Sequence, residues 1–266
     1  MSVIVIRSPE ELETLREANR IVARILQELA DDIKPGISTE WLDQKAERLI
    51  LKAHGRPAFK GYRGYPKTIC ASLNEQVVHG IPSPSVVLRE GDIISIDIGI
   101  VYRGYVGDTA ATYPVGEISE EKRRLIQVTR ESLCKGIKQA RVGKRLSDIS
   151  HAVQAHVEKH GFSVVRDFVG HGIGQQMHEE PQIPNFGRPN QGPRLETGMV
   201  LAIEPMVNAG TYEVKVLDDR WTAVTKDGRP SAHFEHSIAV TNGEADILSL
   251  PPEGGTAARS VTHVRG

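Results

Sequence analysis

The sequence predicts an α+β protein in which helices cover one side of a mainly antiparallel sheet, laid out as two similar halves of one domain over residues 1–250. Three observations carry that expectation. A passage of helix, helix and strand-rich segment occurs twice, with Gly36 and Gly143 offset by 107 residues and His54 and His160 by 106; a layout repeated at a fixed offset marks a duplicated unit. In the stretch "SIDIGIVYRGYVGDTA" and the residue before it, Ile94, Ile96, Ile98 and Ile100 alternate with Ser95, Asp97, Gly99 and Val101, the period of a strand. No linker rich in Pro and Gly separates the halves.

The elements follow in order. Ser8-Pro9-Glu10-Glu11 has the Ser-x-x-Glu pattern of a capping box with Pro at the first helical position, and Leu12, Leu15, Val22, Ile25, Leu26 and Leu29 continue at helical spacing, so a helix is expected over about residues 9–32. "KPGIST" breaks it, and a second amphipathic stretch with Trp41, Leu42, Ala46, Leu49 and Ile50 runs to His54-Gly55, where the glycine ends the helix. Next come the alternating strand and a two-residue turn at Arg103-Gly104, which pairs position 99 with 108. Ser119 opens the third helix, "RVGKRLSD" breaks it, and the fourth ends at His160-Gly161. The tail "PPEGGTAARSVTHVRG", residues 251–266, is too rich in Pro, Gly and small residues for structure of its own and is expected to be flexible.

Composition excludes several classes of function. The 266 residues are 39% hydrophobic and 25% charged with a net charge of −1, which gives no electrostatic reason to expect nucleic acid or an anionic membrane as partner. The short basic clusters at Lys122–Arg124 and Arg141–Arg145 read as solvated helix faces. Cys70 and Cys134 are too few for a disulfide framework, and no signal peptide or spanning apolar run is visible, so the cytoplasm is the expected location.

The acids carry the chemistry. The turn makes Asp97 and Asp108 diagonal neighbours on one face of the sheet, roughly 7–8 Å apart by backbone. A solvated face bearing two unrelated acids would look similar, but Gly99, Ala110 and Thr112 make this face small rather than charged. The 107-residue offset carries Asp97 to Glu204, an acid inside the apolar run "GMVLAIEPMV"; "AHFEHSIAV" sets Glu235 opposite Phe234 and Ile238, and "VGHGIGQQMHEEPQ" adds His171 and His178. A buried carboxylate without a partner costs several kcal/mol or more, so each acid needs a cation or a proton. Four carboxylates and one imidazole suffice for two divalent ions about 3.5–4 Å apart. Oxygen-dominated ligation favours Mn²⁺, Fe²⁺ or Co²⁺ over a structural Zn²⁺ site.

The order Asp97, Asp108, His171, Glu204, Glu235, set in "NEQVVHGIP", "GHGIG", "MHEEP" and "AIEP", resembles the type I methionine aminopeptidases, from about residue 5 to 248. That resemblance implies the pita-bread fold, with two pseudo-symmetric halves around a centre of two divalent ions (Co, Mn, Fe or Zn). It implies Asp97 and Asp108 on one ion, His171 and Glu204 on the other, and Asp108 and Glu235 bridging. The implied activity removes the N-terminal methionine of nascent polypeptides when the second residue is small, through attack of a metal-bridged water on the first peptide bond. Glu204 would accept the proton, His178 would donate to the carbonyl oxygen, and His79 would contact substrate near the scissile nitrogen. Tyr62, Tyr65, Cys70 and Trp221 match the family's methionine pocket; Met177 departs from the Phe common there in bacterial relatives. The absence of a zinc-finger extension or an inserted subdomain fits the short bacterial form, a monomer with at most a transient ribosome contact. His233 and His236 flank Glu235 as candidate supporting groups, while His54, His151, His156, His160 and His263 read as structural. Two alternatives stay open: a proline-selective relative such as prolidase or aminopeptidase P, and a catalytically silent pita-bread binding protein.

Overall fold

The computed structural model describes residues 3–250; the tail, and His263 with it, lies outside the described residues. Helix α1 spans Pro9–Ala30 and starts as read: Ser8 Oγ accepts from the Glu11 N–H while the Glu11 carboxylate accepts from the Ser8 N–H. It stops two residues short of the expected end, at the Asp31 cap. Helix α2 spans Thr39–Lys52, and the residue that turns left-handed after it is His54, at φ 58°, rather than Gly55. Gly55 serves packing instead, because a Cβ there would lie 2.4 Å from Ile100 Cδ1. Helices α3 (Glu120–Ile137) and α4 (Leu146–Lys159) form the second pair, and here the left-handed residue is the expected Gly161, at φ 81°.

The duplication is visible in the backbone. Thr39 N–H bonds Val86 O at 2.9 Å, and Leu146 N–H bonds Pro193 O at 3.0 Å; Leu88 N–H bonds Ile37 O at 2.8 Å, and Leu195 N–H bonds Lys144 O at 3.0 Å. All four members of each pair keep the 107-residue offset, as do the left-handed glycines Gly91 and Gly198. Letters diverged while hydrogen bonds stayed, since backbone pairing constrains geometry more than side-chain identity.

A nine-stranded antiparallel sheet runs through both halves. Its centre is the hairpin of Ile93–Tyr102 with Tyr105–Pro114, turning at Arg103 (φ 48°) and Gly104 (φ 83°) and pairing Gly99 with Asp108 as the sequence predicts. Beyond it lie Glu235–Ala239, Val200–Ile203, Gly170–Gly172 and Glu179–Ile183, and on the other side Ile69–Leu73 pairs with the first hairpin strand. Ile94, Ile96, Ile98 and Ile100 are fully buried against Leu26, Leu29, Leu42 and Ile50 of α1 and α2, each such side chain contributing about 1.5–3 kcal/mol. In the second half Leu201, Ile203 and Ile238 pack on Leu133, Ile137 and Ile149 of α3 and α4. The opposite sheet face is thereby left for the polar groups.

Two three-stranded sheets were not legible in the sequence: Ser231–His233 with Met206–Asn208 and Ser163–Val164, and Ala223–Thr225 with Val214–Val216 and Gln76–Val78. Strands of two or three residues are too short to show alternation. One expectation on charge is corrected: Lys122 is not a solvated cation but donates to Asn74 Oδ1 at 2.8 Å and Gly91 O at 2.7 Å, tying α3 to the first half. Among the described residues no helix is long and apolar enough to cross a membrane.

Candidate active site

The polar face of the sheet is the floor of a cavity of about 300 Å³, lined among others by Asp97, Asp108, His171, Glu204 and Glu235. Sheet register brings them together. Ala110 pairs with Asp97 on one side and with Glu235 on the other, and Ala202 pairs with His171. Glu204 ends the strand Val200–Ile203; because His236 pairs with Ile203, the same register sets Glu204 across from Glu235.

These groups fit a cation. Ligand atoms of Asp108, His171 and Glu235 lie within 4.8 Å of one another, and Asp97 Oδ1, Asp108 Oδ1 and Glu235 Oε1 are buried without a hydrogen-bond partner. Burial pushes the carboxyls up: Asp97 to about 7 and Glu204 to about 8, with Asp108 and Glu235 raised well above the ordinary range by burial and by their neighbours' charge. His171 is shaped as a ligand. Its Nδ1 lies 3.0 Å from Gly172 O, an acceptor, so the ring proton sits there and Nε2 presents a lone pair. That lone pair faces Glu204 Oε1 at 3.3 Å, and burial holds the ring neutral, its pKa lowered to about 3. Two lone-pair donors converging at such a distance call for a cation between them.

Above the floor stand two further histidines. His178 lies with its ring centroid 4.4 Å from that of His171, and Tyr62 OH sits 2.8 Å from His178 Nδ1. His79 follows the strand Gln76–Val78 at φ 61°, a left-handed conformation costing about 1–3 kcal/mol for a side chain of this kind. Its ring meets Phe168 edge-on at 5.4 Å and Trp221 at 6.3 Å, and burial keeps it neutral, with a pKa of about 4.

The structure brings to this cavity every residue read from the sequence as a ligand, a catalytic group or a pocket wall: Tyr62, Tyr65, Cys70, Met177 and Trp221 line it together with His79, His178 and the five candidate ligands, while the candidate supporting groups His233 and His236 do not line it. Tyr65 meets Trp221 edge-on at 5.1 Å and shares its hydroxyl between Ile69 O and Gly80 O. Cys70 pairs in register with Asp97, and burial together with that carboxylate pushes its thiol well up, so it remains a neutral wall. His236 instead bonds Ser249 Oγ at 2.8 Å through Nδ1, while His156 bonds Glu131 at 3.0 Å.

Sequence reasoning missed Phe59, Arg63, Val78, Phe168, Val169 and Met206 in the lining. Phe59 had a faint signal, since Gly99 is the position a Cβ would fill only 2.7 Å from the Phe59 ring. Asn19 had a clearer one. It lies on the buried stripe of α1 among Leu15, Ala18 and Val22, and its Oδ1 accepts from the Asp108 N–H at 3.2 Å, so α1 holds the backbone of a candidate ligand. Arg7 is a third: nearly buried, it pairs with Glu179, whose other oxygen accepts from Gln176 N–H, bracing the segment that carries Met177 and His178.

Comparison with known proteins bears on this geometry. A family model described as Metallopeptidase family M24 matches residues 13–242. Methionine aminopeptidase 1 of Bacillus subtilis is 59% identical over 247 residues, 93% of this chain and 99% of that relative. The crystal structure of methionine aminopeptidase from Thermotoga maritima superposes with a TM-score of 0.92 at 48% identity, covering 93% of this chain and 99% of that one. Prolidase from Pyrococcus furiosus superposes at 0.74 with 21% identity over 94% of this chain and 66% of its own, a likeness of fold alone.

Proposed function

Since the chain belongs to metallopeptidase family M24, and within it to the type I bacterial methionine aminopeptidases, we propose how its residues divide the work of removing an N-terminal methionine. The reaction is metal-dependent, its substrates are the N-termini of nascent polypeptides, and the fold is the pita bread that the resemblance implies. We assign Asp97, Asp108, His171, Glu204 and Glu235 as the residues that would hold two divalent ions, Asp97 and Asp108 serving one, His171 and Glu204 the other, and Asp108 and Glu235 both. The single observation that carries this is the convergence of unpartnered, buried oxygens with the His171 lone pair. Bound divalent ions supply Lewis acidity at the scissile carbonyl and lower the pKa of a water to about 7.

Glu204, kept ionised by the bound ions, would take up a proton from the attacking water. Donation from the Tyr62 hydroxyl to His178 Nδ1 leaves the proton on Nε2, from which His178 donates to the carbonyl oxygen as charge develops. Neutral His79 contacts the substrate near the scissile nitrogen. Tyr62, Tyr65, Cys70, Trp221 and Met177 enclose the methionine side chain in a wall that is largely apolar, suited to an uncharged thioether.

Residues 1–250 are one catalytic domain in this reading, supported by a sheet that runs through both halves. The enzyme acts as a cytoplasmic monomer, with a transient ribosome contact where N-termini emerge, and accepts only small second residues. Metal-loaded enzyme given Met-Ala-Ser, Met-Lys-Ser, Ala-Ala-Ser and Ala-Pro-Ser peptides tests the reading. Release of Met from the first should exceed all others; a preference for Ala-Pro-Ser would favour a prolidase-like site instead.

A further inference from the structure

We propose that His233 is a positioning residue for Glu204, holding the carboxylate oxygen that faces away from His171. This rests on the role given to Glu204 above. The two oxygens of Glu204 have different neighbours: Oε1 lies 3.3 Å from His171 Nε2, and Oε2 lies 3.6 Å from His233 Nε2. Among the described residues these two imidazoles are the basic groups within 4.0 Å of that carboxylate.

His233 is built to point there. It closes the strand Ser231–His233, and its main chain is clamped by Thr112 of the first half: the His233 N–H donates to Thr112 Oγ1 at 2.8 Å, and that hydroxyl lies 2.9 Å from His233 O. Ser95 Oγ, 2.8 Å from the same hydroxyl, steadies the clamp. The side chain is 2% exposed and its Nε2 has no hydrogen-bond partner. A buried imidazole nitrogen left unpaired is costly, and a small rotation of Glu204 would satisfy it. His233 does not line the cavity, so it stands behind Glu204 and away from substrate. From that place Nε2 can donate an N–H to Glu204 Oε2 without competing for a cation's place.

With Oε2 held by a donor, Oε1 is left to converge with His171, and the acceptor is fixed in one orientation. His236, three residues on, is already occupied by Ser249 and has no such role.

The test uses full-length His233→Leu, which removes the donor, and His233→Gln, which keeps an N–H, each alone and with Glu204→Gln. Mn²⁺ affinity is measured by calorimetric titration, and kcat and KM on Met-Ala-Ser. His233→Leu should lose about 10–100-fold in Mn²⁺ affinity or kcat, with KM within about twofold, and His233→Gln should recover most of that loss. In the Glu204→Gln background the effect of His233→Leu should vanish, because the residue acts through that carboxylate. Equal behaviour of the Leu and Gln variants, or losses that simply add to those of Glu204→Gln, overturns the proposal and leaves the Glu204 reading standing. A harmless Glu204→Gln overturns both. If metal-free melting shows that His233→Leu does not fold, His233→Asn, too short to reach Glu204, replaces it with the same expected loss.

Discussion

The two halves of the sheet share a scaffold and differ in how they finish it. In the first half the strand Ile93–Tyr102 runs unbroken for ten residues into an equally long partner, and both acids sit inside the ladder. In the second half the equivalent strand Val200–Ile203 stops after four, at Glu204-Pro205. The 107-residue offset pairs Ile98 with Pro205, and a proline has no N–H for the ladder. The chain therefore leaves the sheet and carries Met206 to the cavity wall on another sheet. A repeated scaffold thus yields two kinds of carboxylate: Asp97 and Asp108 fixed by register, and Glu204 at a strand end, with its orientation set by imidazoles.

The largest effects should fall where the halves meet. Asp108→Asn, from the first half, and Glu235→Ala, from the second, should each abolish hydrolysis and lower bound metal in elemental analysis, because in the proposed assignment each of these carboxylates would serve both ions. Normal turnover with two bound ions in either variant would break the equivalence of the halves. The 107-residue offset carries His178 to Ala71, so that position holds no imidazole in the first half, and His178 is not assigned to metal. For His178→Ala we expect a fall in kcat of about 10²–10³-fold, the usual loss for one oxyanion donor, at unchanged metal content; equal loss of metal would make it a ligand.

Removing metal should expose the acids of both halves through pH. Their folded pKa values are raised, Asp97 to about 7 and Glu204 to about 8, above ordinary carboxyls near about 4. The metal-free fold therefore binds extra protons, and that stability is complete below the unfolded pKa and is lost as pH rises through the folded values. His79 and His171 are lowered and act with the opposite sign, costing stability as pH falls below about 6.5. Above about pH 7 the carboxyls remain, so the melting temperature of metal-free protein should fall between pH 7 and 8.5. Asp97→Asn and Glu204→Gln should each flatten that slope, and a rising slope would contradict the burial of both.

The smallest effect concerns the wall contributed by the second half. Met177→Phe should change the ratio of kcat/KM for Met against norleucine peptides by a few fold, within the worth of about one methylene or so in an apolar pocket, with metal binding unaltered. An unchanged ratio would make position 177 neutral packing and leave the pocket to Tyr62, Tyr65, Cys70 and Trp221.

Local chemistry made much of this legible in the sequence. A charged residue in an apolar strand is an anomaly wherever it occurs, so Asp97, Asp108, Glu204 and Glu235 stood out, and the Ser8 and Ser119 caps, the Arg103-Gly104 turn and the repeat followed from short-range rules. Asn19 was readable in principle as a polar break in the buried stripe of α1. Phe59, Phe168 and Met206 were not, because an apolar side chain suits any core and nothing nearby in the chain says which surface it faces. The orientation of Glu204 was also out of reach. Its two oxygens are set by His171 and His233, 33 residues before and 29 after it in the chain, and that convergence exists only once the second half has left the sheet at Pro205. Sequence determined which groups must be compensated; tertiary structure decided which atoms face one another, because distances of 3–4 Å between segments this far apart are set by strand register and packing.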